Sequence, residues 1–365
     1  NSGDARGVSR ELTQRLALTP STGGAGCSNS STSPGAVVRL RCLPVSPGDA
    51  KTSAPWHSYY MPALSGAVDL ARDRIAQGFR SIVSGDPDGT PDWVRQLADG
   101  IDDGYFGPGS AAWTVHGSLP TLVGGVRALL MQALHPGALA GVSEHSRYEA
   151  DPLGRLSGTT QWLTVVTFGD TVMADRECAR VRGMHRKVKG TYPVGGEQRP
   201  YSANDPDLLR WVHVAFTDSF LATHRVWGGP IPGGEDAYVR EWAKAGELVG
   251  VDDPPRSVAE LDEQIRDFGP ELRGDATAWK TVDFIRSAPV PLPARGPYSI
   301  LFAGAVATIP DSHRKLLRLP RVPLTVAKPA VSTMLGALSL ALGPASPSMR
   351  NANDRVERLA QTEAV

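Results

Sequence analysis

The chain's patterning predicts an all-α fold: a single globular multi-helix domain preceded by a disordered N-terminal tail. Apolar residues recur at spacings of three and four from about Leu64 onward, strand signals are scarce, and the first stretch is too polar to fold on its own. Asn1 to Trp56 is rich in Ser, Thr, Gly and Pro, as in Thr19-Pro-Ser-Thr-Gly-Gly and Ser28-Asn-Ser-Ser-Thr-Ser-Pro34. Such a segment cannot bury enough apolar area to offset its ordering entropy, so residues 1–56 are expected to be disordered. A helical domain is expected over 57–345, and a polar tail or final helix over 346–365.

Within that domain the elements follow in order. Val68, Ala71, Ile75, Phe79 and Ile82 share one helical face, which predicts a helix from Leu64 to Ser84, followed by a short amphipathic piece over Pro91–Leu97. Helices are predicted over Gly107–Gly117 and Pro120–His135, the second opened by a proline at its first turn and stopped by Pro136-Gly137. The pattern resumes over Arg155–Phe168, Thr171–Lys189, Pro206–Trp227, Gly234–Leu248, Val258–Phe268, Ala276–Ser287 and Pro297–Thr308. Asp170 and Asp205 stand where helix N-caps belong. No alternating hairpin with an Asn-Gly turn and no internal repeat is found.

Composition narrows the function classes. At 365 residues with 41% hydrophobic content the chain can bury a sizeable core. Lys+Arg and Asp+Glu both number 38, so no basic footprint for nucleic acid exists. Cys27, Cys42 and Cys178 form neither a zinc framework nor a disulfide scaffold, and their odd number favours a reducing, cytoplasmic setting. Leu324 to Leu342 is apolar-leaning but interrupted by Lys328, Pro329, Ser332, Thr333 and Ser339, so it is expected not to span a bilayer. The expectation is an amphipathic helix docked on the domain, with peripheral membrane contact as the second reading.

The residue that points most directly to chemistry is His185, in Cys178-Ala-Arg-Val181-Arg-Gly-Met184-His185-Arg-Lys-Val188. Cys178, Val181 and Val188 fall on its face of a helix, which directs the imidazole into an apolar seam. Arg155 and Thr159, four apart, share a face of the preceding helix. An imidazole opposite a guanidinium and a hydroxyl is the donor set of an iron-binding oxygen pocket, although a satisfied core histidine has the same local sequence. His213 lies on an apolar helix and is the other candidate ligand; Asp218, one turn and a residue later, is expected on the helix surface. His135-Pro136, Gly124-Gly125 and Arg127 read as structural, whereas Glu144 is a candidate base near the pocket. Neither a zinc-protease His-Glu-x-x-His, a nucleophile elbow, a phosphate loop nor a Cys-x-x-Cys-His haem attachment sequence occurs, so any haem is held noncovalently.

From about Tyr105 to Pro320 the chain resembles the domain-of-unknown-function 2236 family, which holds the rubber oxygenases (latex clearing proteins) and the oxygenase of mycophenolic acid biosynthesis. The resemblance is carried by Phe106-Gly-Pro-Gly-Ser110, Trp113-Thr-Val-His116-Gly117, Gly124-Gly-Val-Arg127, His135-Pro136, Glu144-His145-Ser-Arg147, Asp151-Pro-Leu-Gly-Arg155, Val181-Arg-Gly-Met-His185 and Tyr201-Ser-Ala-Asn-Asp205-Pro, in family order. It implies an oxidoreductase that binds haem b, with His185 as the iron ligand and Arg155 and Thr159 in the haem pocket. It also implies dioxygen and an apolar, isoprenoid-like molecule as substrates. One position departs: where rubber oxygenases can carry a lysine able to cap the iron, this chain has Gly158. A haem sensor or carrier without turnover, and a cofactor-free helical scaffold, are the alternatives.

Overall fold

The apolar repeats resolve into fifteen α-helices and one hairpin among the residues described by the computed structural model, 60–86, 88–145 and 152–363. All belong to the second of two units, Trp56–Val365; the tail expected over Asn1–Trp56 lies outside the described residues. In chain order they are α1 (Tyr60–Ser84), α2 (Asp92–Arg95), α3 (Ala111–Gly117), α4 (Thr121–Gln132), α5 (Pro136–His145), α6 (Pro152–Phe168), α7 (Thr171–His185), β1 (Lys189–Val194), β2 (Glu197–Ser202) and α8 (Pro206–Trp227). There follow α9 (Glu235–Val249), α10 (Val258–Asp267), α11 (Ala276–Arg286), α12 (Arg295–Thr308), α13 (Asp311–Leu316), α14 (Leu324–Leu342) and α15 (Pro347–Glu363).

The core is built on α4 against α8, with α12 beyond α4 and α9 beyond α8. A methyl on Gly124 would stand 2.6 Å from a Phe220 ring carbon, so only glycine lets the two axes close this far. Trp211, Phe220, Leu221, Leu130, Met131 and Leu134 fill the interface and are essentially inaccessible. Arg127 of α4 is equally buried and holds three helices together: it donates to Ser219 Oγ at 2.8 Å and to the Thr308 carbonyl at 3.4 Å, and pairs with Asp218 at 2.7 Å. Asp218, expected on the surface, is therefore drawn inward by the cation it neutralises, leaving its side chain 14% exposed.

The hairpin corrects the expectation of a helix running to Lys189 with no strands after it. Helix α7 stops at His185, and β1 pairs antiparallel with β2 around Gly195 and Gly196, whose φ values of +60° and +90° suit a tight two-residue turn. Gly190 and Pro193 oppose continuing the helix, and burial of Tyr192 and Tyr201 against Ala140 and Leu208 anchors the strands. A second correction concerns Pro136-Gly137, which begins a helix as well as ending one. His135 Nδ1 accepts from the amides of Gly137 at 3.2 Å and Ala138 at 3.4 Å, serving α5 as an N-cap side chain would. Of the two predicted caps, Asp170 does accept from Met173 N at 2.8 Å, but Asp205 turns back to the Ser202 amide at 2.7 Å.

The C-terminal segment is a docked helix, one of the two forms expected over 346–365. Ala352 joins Leu97, Trp113 and Phe168 in a small second core, and the inaccessible Arg355 donates to the carbonyls of Leu97 and Phe168, both at 2.9 Å. Arg355→Ala leaves those carbonyls unsatisfied and is expected to destabilise the fold by about 3 kcal/mol or more in urea titrations. A loss below about 1 kcal/mol would mean that α15 is an appendage. Helix α14, with one charge among its polar interruptions, is by length and composition alone apolar enough to cross a membrane. Its docking was anticipated, and Ala327, Val331 and Leu335 do bury one face on the domain.

Candidate functional site

Helices α6 and α7 form an antiparallel pair joined by the tight Gly169-Asp170 link. Gln161 Nε2 reaches Glu177 Oε2 across it at 3.4 Å, and this sets the register. Counting outward from that contact, position 155 near the start of α6 falls within one turn of position 185 at the end of α7. Position 144, near the end of α5, is joined to the start of α6 through residues 146–151, which lie outside the described residues. The pair therefore places positions 155 and 185 at one end, with Thr159 one turn deeper, while α5, which ends just beyond position 144, brings Gly141 against Val188, three residues past His185. The side chains of Glu144 and Arg155 lie outside what the structure describes; Thr159 and His185 are half-buried.

Gly158 stands beside Thr159, and a methyl built on it would meet no atom of the described residues within 4 Å. This side of α6 has room for a further group. His185 belongs to the last helical turn, so Val188 does not share its face as the longer predicted helix implied. Cys178 is fully buried, Val181 half-buried and Met184 half exposed, which makes the surroundings of His185 mixed instead of a closed apolar seam.

His213 is elsewhere. It occupies the α8–α9 interface, and α9 packs against both α7 and α8. A methyl on Gly246 would lie 2.9 Å from its Cε1, 3.0 Å from Nδ1 and 3.1 Å from Nε2, so the α9 backbone covers the nitrogen-bearing edge. Its Nε2 has no hydrogen-bond partner among the described residues, yet a flat macrocycle could reach it only by displacing α9. Burial pushes its pKa down to about 4, which keeps the ring neutral.

His116 was given no role by its sequence context, yet it is the centre of the largest aromatic cluster. Its ring centroid is 4.0 Å from Trp242 and 4.9 Å from Phe220, and Nε2 shares a hydrogen bond with Tyr238 Oη at 3.3 Å. Trp242 continues to Trp162, one turn along α6 from Thr159, at 6.1 Å. Burial, assisted by His224, drives the His116 pKa to about 3. Both histidines ionise near 6.5 when unfolded, so the unfolded chain takes up protons before the native one does. Stability should therefore be complete above pH 6.5 and fall on acidification toward pH 4, by roughly 1 kcal/mol per histidine per pH unit. Urea titrations at neutral and acid pH measure this; equal stability at both would show that these rings are hydrated or charged in the native state.

Among the described residues, no three His, Cys, Asp or Glu side chains come together as a metal-binding group. His185 is the imidazole at the end of α6 and α7 that holds position 155. Over residues 113–340, more than half of the chain, the sequence matches the family model described as ER-bound oxygenase mpaB/B'/Rubber oxygenase, catalytic domain. The chain belongs to this family. No curated protein matches it, and neither does any solved structure. As a member of the mpaB/rubber oxygenase family it is an oxygenase-type oxidoreductase domain, and the family's stretch runs from α3 to the end of α14, taking in every helix that positions the candidate residues.

Proposed function

We propose that this oxygenase domain works with haem b, the iron being held by His185, and oxidises an apolar, isoprenoid-like substrate with dioxygen. The observation that supports this most is that the register of α6 against α7 puts positions 155 and 185 at one end of the pair, with Gly158 leaving space beside Thr159. When bound, haem supplies the redox-active iron at which dioxygen is activated.

The chain's own contribution is positional. His185 offers one neutral ring nitrogen as ligand, and what its other nitrogen bonds fixes the tautomer. Arg155 supplies a permanent cation, which would be suited to pairing with a haem propionate. Thr159 can donate its hydroxyl toward the same space. Glu144 is the carboxylate placed to accept a proton from substrate or water. Gly158 puts no amine beside Thr159, so the side of the pocket facing α6 stays open to ligand.

Titration of the purified protein with hemin, followed by its visible spectrum, tests the cofactor. A saturable Soret band near one equivalent is expected, and a chain that stays colourless refutes the haem reading. Oxygen uptake by the loaded protein with isoprenoid and fatty-acyl compounds then tests turnover; a haem spectrum without uptake on any of them would indicate a carrier or sensor.

A further inference from the structure

Helix α14 presents two opposite apolar faces, and only one is covered. Ala327, Val331 and Leu335 pack inward, where Gly304 of α12 allows Val331 to approach. On the outside, Val326, Ala330, Thr333, Ala337 and Leu340 follow one another at helical spacings of three and four, all exposed. Val326 is 63% and Leu340 77% exposed, and they lie on one stripe. Helix α1, which packs beside α14, adds Leu70 and Ile75, each more than half exposed.

Charge around this helix is one-sided. From Ser312 to Asn353 the chain has no Asp or Glu, although acidic and basic residues balance at 38 each over the whole sequence. The same stretch carries Arg314, Lys315, Arg318, Arg321, Lys328 and Arg350. Lys315, Arg321 and Lys328 are exposed and stand close to the start of α14 in sequence, Arg318 lies over the Trp279 ring, and the stripe toward Leu340 is uncharged.

We propose that the outer face of α14 docks on an anionic lipid surface, lying in the plane of the interface. The aliphatic stripe would enter the headgroup–acyl boundary, and the basic residues before it would meet lipid phosphates and carboxylates. An in-plane helix is favoured over a spanning one because spanning would strip Ala327, Val331 and Leu335 from the core. Nucleic acid is disfavoured by the uncharged stripe, which its phosphates could not solvate. The inference does not rest on haem, and its test needs none.

Flotation of the full chain with phosphatidylcholine vesicles, with and without phosphatidylserine, is the test. Phosphatidylserine should raise the bound fraction by roughly tenfold, and added salt should reverse the gain. Val326→Glu with Leu340→Glu, at positions whose exposure spares the fold, should abolish binding while circular dichroism and Tm stay unchanged. Lys315→Glu with Arg321→Glu should remove the preference for phosphatidylserine. The proposal is overturned if the wild-type chain does not float, or if it floats equally well with both aliphatic residues replaced. A wild-type oligomer that the aliphatic pair dissolves, without vesicle binding, would overturn it too and assign the face to a second copy of the chain.

Discussion

His185→Ala is expected to lower hemin affinity by at least about a hundredfold and to remove the Soret band at stoichiometric hemin. Loss of residues that merely orient a metal ligand costs 10–100-fold, and loss of the ligand itself should exceed that. Helix α7 should survive, because His185 is half-buried in its last turn and the helix is held from its other end by the Asp170 cap and along its length by Cys178. Millimolar imidazole should restore part of the band to the variant, an effect that a merely unfolded pocket would not show. His213→Ala should do the opposite: it opens a cavity against Gly246 and lowers Tm, but leaves the band in place. If His185→Ala keeps the full spectrum and His213→Ala loses it, the ligand is on α8 and the packing of α9 must change on cofactor binding.

Arg127→Ala should be the most destabilising single change outside the candidate site, by about 3–5 kcal/mol, because it strands Asp218 in a largely buried position and leaves Ser219 and the Thr308 carbonyl without their donor. The loss is more than the removal of a contact, since α4, α8 and α12 meet at this guanidinium. Replacing both partners by apolar residues of similar shape, Arg127→Met with Asp218→Leu, should recover much of it, as expected when the cost is an uncompensated charge. Urea unfolding of the three variants decides the matter. If the double variant is as unstable as Arg127→Ala, shape and not charge is what Arg127 supplies.

Helix placement was largely legible from local pattern. Helix α8 begins and ends at the residues where the periodicity, Pro206 and Gly228 place its ends, and α9, α10 and α11 agree to within a residue or so. Failures came where a local signal had two meanings. Pro136-Gly137 is both a helix stop and a helix start, and only the His135 ring folding over the next amides shows which. The hairpin was missed because the search was for Asn-Gly, while Gly195-Gly196 makes the turn and the stabilising burial of Tyr192 and Tyr201 occurs on α5 and α8. The burial of Arg355 was not legible, because nothing near it in sequence indicates that the carbonyls of Leu97 and Phe168 await a donor.

By itself the sequence determined the all-α class, most helix boundaries, the family and the candidates His185, Arg155, Thr159 and Glu144, because helix formation depends on neighbours three and four residues away and motifs are contiguous. The tertiary structure decided that α6 and α7 bring positions 155 and 185 to one end of their pair, that Gly246 closes off His213, that Asp218 turns inward to Arg127, and that one face of α14 is left outside. Each of these depends on how closely two distant segments approach and which groups are thereby desolvated, quantities that no local spacing contains.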